Sequence, residues 1–341
     1  MTPTPPASTL PPVAVIILNW NGRDLLRRFL PSVTANTPGA LARVIVADNG
    51  STDGSVEMLA AEFPQVEVLA FTENHGFAEG YNLALQRTGY RYTVLLNSDV
   101  EVTPGWLEPL YRYMETNPHV AAVQPKIMSY TDRTSFEYAG ACGGYLDRHG
   151  YPYCRGRLFA TVEHDEGQYD TPAQVDWASG AALMVRTALY QEAGGLDAGF
   201  FAHMEEIDLC WRLRLMGYTL AAVPASTVYH LGGGSLPASS PRKTYLNFRN
   251  SLLMLHKNLP EPARSRILLR RRLLDTLAFG QFVLTGRWSH AGAILKAHRH
   301  FRTMRRNYKD MPLSTPNLLG SINIITAYYL RRRHTCATLP H

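Results

Sequence analysis

Between Val13 and about Val123, short apolar runs alternate with stretches whose apolar residues recur every three to four positions. The runs Val13–Leu18, Val44–Ala47, Val66–Phe71, Thr93–Leu96 and Val120–Gln124 predict strands covered on both faces, as in a parallel sheet. Asp24–Ala35, Ser55–Glu62, Ala78–Arg87 and Trp106–Glu115 lie between them and predict amphipathic helices. The alternation predicts an α/β fold, an open and mostly parallel sheet flanked by helices, with ligands beyond the carboxyl ends of its strands. Polar residues gather where that rule puts them. Asn19-Trp20-Asn21 follows the first run, Asp48 to Ser55 the second, Asn74-His75-Gly76-Phe77 the third and Asn97-Ser98-Asp99 the fourth.

Residues 126–178, rich in Tyr and Gly, predict loops with a small β excursion. A strand around Gly180–Val185, a turn at Gly194-Gly195, a helix over Glu205–Met216 and a strand at Thr219–Val223 follow. Beyond Gly232-Gly233-Gly234-Ser235 the pattern becomes that of basic helices, roughly Ser240–Lys257, Pro262–Leu284, His290–Tyr308 and Leu318–Arg333. The chain thus divides into a disordered Pro-rich start (1–12), an α/β unit (13–240) and a basic helical extension (241–341).

Charge sharpens that division. The net charge of the 341 residues is +6, yet residues 1–241 hold 15 Lys and Arg against 25 acids, and residues 242–341 hold 19 against 3. Such a tail suits an anionic partner, either a membrane surface or nucleic acid. Its aromatics do not interleave with its arginines in a stacking pattern, so no nucleic-acid partner is expected. Met311–Leu330 is long enough to cross a bilayer but broken by Pro, Ser, Thr and Asn, and Leu273–Gly286 is too short. Both fit an interfacial position better than insertion. Four scattered cysteines without a CxxC pair, and no evident targeting segment, point to a reducing compartment.

Two nucleotide-binding signatures are missing. No GxGxxG follows the first strand and no GxxxxGK[ST] occurs, so a ligand phosphate must be met by a metal or by cationic side chains. Asp99, at the end of an apolar strand, can hold Mg²⁺ or Mn²⁺ and is equally suited to an Asx turn. Asp48 is free at its strand end to hydrogen-bond a ligand base, while Ser51 or Asp53 caps the next helix. Glu205, Glu206 and Asp208 open a helix, where the macrodipole favours acids, and Asp208 can pair with Arg212. Three acids in four residues nonetheless exceed what capping needs, which admits a carboxylate base. His230, after Ala225–Tyr229, reads as a buried histidine when taken alone and as a metal ligand when taken beside Asp99.

Together the ordered motifs Asp-Asn-Gly-Ser-Thr-Asp-Gly-Ser, Asn-His-Gly-Phe-Ala-Glu-Gly-Tyr-Asn, Leu-Leu-Asn-Ser-Asp-Val and Glu-Glu-Ile-Asp-Leu-Cys-Trp-Arg resemble glycosyltransferase family 2. Those enzymes are inverting and have the GT-A fold, and the chain is similar to their rhamnosyltransferase-like and galactofuranosyltransferase-like bacterial branch. The resemblance runs from about Val13 to Ser235 and weakly on to Tyr245-Leu246-Asn247-Phe248-Arg249-Asn250. It implies a nucleotide-binding half at about 13–125 and an acceptor half at about 126–240. By the same resemblance Asp48 contacts the nucleobase, with Asn19 beside it, and Asn74, Gly76 and Asn82 lie near the nucleotide sugar. Asp99 is the last acid of the family's DxD motif, His230 joins it on the metal, Glu206 is the base with Glu205 its neighbour, and Trp177, Ser179 and Gly180 face the acceptor. Two positions depart from the pattern: Asn97 replaces the first acid of the DxD, and Glu206 stands where Asp is usual.

The expectation is an inverting glycosyltransferase that moves a sugar from a dTDP- or UDP-sugar, dTDP-rhamnose first, to a hydroxyl of a glycan or lipid-linked glycan. It would need Mg²⁺ or Mn²⁺ and act in cell-surface polysaccharide assembly at the cytoplasmic face of an anionic membrane, with a homodimer left open. The rivals are an inactive glycan-binding scaffold and a sugar nucleotidyltransferase. Intact Asp99, Glu206 and His230 speak against the first, and the absent Gly-rich first loop against the second.

Overall fold

The computed structural model describes residues 12–232 and 240–339. The expected disordered start and the run Gly233-Gly234-Ser235 lie outside the described residues, except for Pro12. The first half follows the predicted alternation: β1 (Val13–Asn19), α1 (Arg23–Asn36), β2 (Ala42–Asp48), α2 (Ser55–Glu62), β3 (Glu67–Ala70), α3 (Gly76–Gln86), β4 (Tyr92–Leu96), β5 (Val100–Val102), α4 (Leu107–Thr116) and β6 (Val120–Ser129). Every residue of β4, and every residue of β1 except Leu18, is buried, because helices cover both faces of the sheet. α1 explains one such cover: Leu26, Phe29, Leu30 and Val33 recur at three- and four-residue steps and are buried together.

The β excursion is a separate antiparallel sheet of β7 (Gly144–Leu146), β8 (Pro152–Cys154), β9 (Arg157–Leu158) and β10 (Thr161–Val162). The main chain then returns through β11 (Ala173–Val175), β12 (Ala182–Arg186), α5 (Thr187–Glu192), α6 (Glu205–Leu215) and β13 (Thr219–His230). The order across the large sheet is β11-β13-β6-β12-β4-β1-β2-β3, with β5 paired to β13. β3, β2, β1 and β4 are parallel, as expected, but β12 enters antiparallel between β4 and β6. The run at Val120–Gln124 therefore keeps the direction of β4 but is separated from it by β12, and its parallel partner is β13. This reversal brings Ala182, the start of β12, opposite Leu96, the end of β4. The segment before β12 consequently joins the same rim as the ends of β1, β2 and β4.

Three helices complete the chain: α7 (Pro241–Asn258), α8 (Ala263–Leu284) and α9 (Trp288–Met304). Leu252–Leu255 of α7, Ile267 of α8 and Phe301 of α9 sit in the same buried cluster as Leu183, Leu209 and Leu220. The expected helix over Leu318–Arg333 does not form; only a short turn at Thr326–Leu330 does. Ile324 and Ala327 instead pack with Tyr153 and Leu158 on the small sheet, so tertiary burial rather than helical periodicity fixes that segment.

Candidate active site

The rim of the large sheet collects the polar residues in three groups. The parallel register of β1 and β2 sets Asn19 opposite Asp48. Asp48 is 2% exposed; its Oδ1 accepts from Asn19 Nδ2 at 2.9 Å and its Oδ2 from the Ser51 backbone N–H at 2.9 Å. Each carboxylate oxygen keeps a second lone pair for a ligand. The N-cap of α2 is Gly54, not Ser51 or Asp53 as expected; Asp53 instead accepts from the Ser55 N–H and from the Arg23 N–H. Asn49 stitches the next loop, its amide donating to Asn74 Oδ1 and to the Gly76 carbonyl, both at 3.0 Å. Asn74 accepts there and from the Gly76 N–H, so its own amide nitrogen is uncommitted among the described residues. Trp20, just beyond Asn19, is 58% exposed and offers a bare aromatic face.

The second group lies where β5 pairs antiparallel with β13, with Val100 against His230. His230 Nε2 is 3.1 Å from Asp99 Oδ1 and 3.4 Å from Asn97 Nδ2, and Nδ1 faces Glu137 Oε1 at 3.5 Å. Asp99, Glu137 and His230 are all buried. Burial pushes the imidazole down, but the two carboxylates outweigh it and raise His230 to about 10. Two anions around one ring make a place that attracts positive charge. A carboxylate oxygen and an imidazole nitrogen side by side also suit Mg²⁺ or Mn²⁺. Among the described residues no group of three or more His, Cys, Asp or Glu forms a complete metal site, so an ion here would draw further ligands from its substrate.

The third group opens α6. Glu205 is buried, Glu206 is half-buried, and each has one enclosed oxygen without a partner. Burial raises both carboxyls, and Glu205 rises further because the Glu206 charge adds to it. A Cβ built at Gly180 would lie 3.6 Å from Glu206 Cβ and 4.0 Å from Phe77 Cζ, so glycine there leaves Glu206 room. Asp208 is turned the other way: burial opposes its ionisation, but Arg212 and Lys257 hold it below the usual range. It anchors the helix and has no free edge for chemistry.

The groups are contiguous. A Cβ at Gly22 would sit 2.6 Å from Asn19 Oδ1 and 3.9 Å from Ser98 Oγ, linking the first group to the second. The Asn97 N–H donates to the Ala181 carbonyl, linking the second to Gly180 and Glu206. Asn82 is otherwise occupied: its Oδ1 accepts from Tyr190 Oη and the Leu196 N–H, and its Nδ2 donates to the Leu196 carbonyl and to Glu79. Its amide staples α3 to the turn before α6 and has nothing left for a sugar. Trp177 donates its indole N–H to the Tyr145 carbonyl and packs against Gly144, and Ser179 donates to the Ala139 carbonyl. Both are buried. Sequence reasoning overlooked Glu137, for which no local signal exists, and named Trp20 within Asn19-Trp20-Asn21 without giving it a role.

The family model for Glycosyl transferase family 2 matches residues 14–165. Over those residues the chain is similar to glycosyl transferase family 2. This glycosyltransferase is 28% identical over 232 residues to the N-acetylglucosaminyl-diphospho-decaprenol L-rhamnosyltransferase of Mycobacterium tuberculosis, covering 63% of the chain and 75% of that relative. It is 29% identical to the pre-mycofactocin glycosyltransferase of the same organism, over 64% of the chain and 42% of the relative. Among solved structures it resembles GalNAc-T7 bound to UDP, GalNAc and Mn²⁺, with a TM-score of 0.55 and 18% identity over 75% of the chain and 49% of that protein. It also resembles the mannosyltransferase PcManGT of Pyrobaculum calidifontis bound to GDP-Man and Mn²⁺, with a TM-score of 0.53 and 15% identity over 88% and 84%. The glycosyltransferase therefore has the GT-A fold.

Proposed function

We infer that this glycosyltransferase moves a sugar from a nucleoside-diphosphate donor to a hydroxyl of a lipid-linked glycan, with inversion at the anomeric carbon. The observation behind the reading is the contiguity of Asp48, of Asp99 with His230, and of Glu206 with Gly180 along one rim. Asp48 accepts from the imide N–H of uracil or thymine while Trp20 stacks on the base. Rhamnosyl transfer by the mycobacterial relative makes dTDP-rhamnose the first donor to try, and that relative's name supports an acceptor built on a polyprenyl diphosphate. Asp99 and His230 would hold the divalent ion, as the Mn²⁺ in the two solved relatives supports. When bound, the ion stabilises negative charge on the departing diphosphate.

Glu206 takes the proton of the acceptor hydroxyl as that oxygen attacks. Glu205 is the more deeply enclosed of the two, whereas Glu206 is half-buried beside Gly180, so Glu206 is the better placed to meet the acceptor hydroxyl. Calorimetric titration of UDP-, dTDP- and GDP-sugars with and without Mn²⁺ tests the reading. Donor affinity should depend on the metal in the natural protein, and Asp99→Ala should lose that dependence with its melting temperature unchanged. Equal, metal-dependent affinity in Asp99→Ala would overturn the assignment.

A further inference from the structure

The α8–α9 hairpin has two unlike faces. Ile267, Arg271 and Asp275, spaced four apart, are buried against the body. The Arg271 guanidinium lies 3.9 Å over the Tyr151 ring, and Asp275 is 2.9 Å from His298 of α9. Leu269, Leu273 and Leu277 are offset from that row by two residues, about 200° around a helix of 3.6 residues per turn. They face outward and are 59%, 63% and 71% exposed. Leu284 and Trp288 carry the apolar surface around the turn at 89% and 67%, and Leu295 adds to it on α9 at 60%. Scattered exposed leucines need no explanation, but six large apolar side chains on one hairpin do.

The charges around this ridge narrow what can cover it. Arg266, Arg270, Arg272, Arg287, Lys296 and Arg299 are exposed on the same hairpin. The single acid between Ala263 and Met304 is Asp275, which is buried, so the hairpin presents cations and no carboxylate. A second copy laid ridge to ridge would set arginines against arginines. A soluble polyanion would pair with the cations and leave the leucines in water. An anionic bilayer satisfies both, taking the leucines and Trp288 at the acyl boundary and the arginines at its phosphates. No helix among the described residues is long and apolar enough to cross a membrane, so the hairpin lies on the surface.

We propose that the outer face of the α8–α9 hairpin docks this glycosyltransferase on an anionic lipid surface. The purpose of docking rests on the lipid-linked acceptor proposed above. α7 packs on both α8 and α9, and its Arg249 and Asn250 hold the loop that leads into Glu205, so the docked hairpin and the cleft form one body.

Co-sedimentation of the full chain with phosphatidylcholine vesicles, with and without phosphatidylglycerol, tests the surface. A Leu273→Glu, Leu277→Glu double variant is run beside it, with sedimentation velocity and donor titration on both proteins. The natural protein should prefer anionic over neutral vesicles by about tenfold or more and release in high salt. The double variant should lose about tenfold or more of that binding with donor affinity and melting temperature unchanged. Equal binding to neutral vesicles, undiminished binding by the double variant, or a natural dimer that the double variant dissociates would each overturn the proposal. Vesicle binding that behaves as expected while no lipid-linked acceptor is glycosylated would remove the acceptor reading and leave the surface standing.

Discussion

Burial pushes the carboxyl groups of Glu205 and Glu206 up together, and Glu205 further, because it also feels the Glu206 charge. A base must be ionised to act, so turnover should rise with pH through a limb placed above the usual carboxylate range. Glu206→Gln should keep donor affinity, lose about 10²–10⁴-fold in turnover and lose that limb, which steady-state rates across pH will show. Glu205→Gln separates the neighbour by its stability. A carboxyl with a raised folded pKa supports the fold while protonated and costs stability as pH climbs past its unfolded value. The melting temperature of Glu205→Gln should therefore gain on the natural protein as pH rises above the ordinary glutamate range, and a constant difference would contradict the raised pKa. The acids at the strand ends were legible in the sequence because a buried strand leaves a carboxylate only its end. Asn82 was not, because the partners that use up its amide lie at Tyr190 and Leu196, more than a hundred positions away.

The loop between Ala198 and Glu205 shows how elements, not single residues, set the geometry of the base. Phe201, His203 and Met204 all have positive φ, at 67°, 69° and 74°, without being glycine. Such conformations cost on the order of 1–3 kcal/mol each and persist only where the surroundings impose them. Here α7 imposes them: the Asn250 amide donates to the carbonyls of Phe200, Ala202 and His203, and Arg249 donates to those of Gly199 and Phe200. His203 is held neutral by burial, with the Lys243 charge adding to the effect, at about 4. Asn250→Asp keeps the shape and removes the donors, so it should lower turnover by about 10²-fold with donor affinity little changed, since a displacement of about 1 Å suffices for that loss. Loss of donor affinity in equal measure would mean that the clamp serves the nucleotide side instead. In the sequence Arg249-Asn250 was only the end of a weak extension of the resemblance, because the task of the pair depends on where α7 packs. Element positions were easier to see than pairing: the β12 run was legible, but its antiparallel insertion was not, because a strand buried on both faces reads the same in either direction.

At the scale of the whole molecule, the charge split between an acidic body and a basic tail suggests a tail free to meet a partner. The structure divides that charge in two. Lys257 is bound to Asp197 and Asp208 of the body at 2.7 and 2.8 Å, while the arginines of the α8 outer face have no such acids beside them among the described residues. The apolar positions divide the same way, with Ile267, Ile294 and Phe301 turned inward and the leucine ridge outward. Removing α8 and α9 would therefore strip the body as well as the surface. Burying each of those three large side chains contributes about 1.5–3 kcal/mol, against a total stability of about 5–15 kcal/mol for a folded domain. A chain ended at Asn258 should consequently lose its cooperative unfolding transition by calorimetry and its donor affinity with it, although every residue of the rim remains. The outward substitutions Leu273→Glu and Leu277→Glu should leave both intact. If the shortened chain instead melts cooperatively near the natural temperature and still binds donor, the helical hairpin is an appendage, and the packing of Leu252–Leu255 beneath α9 contributes nothing the body needs.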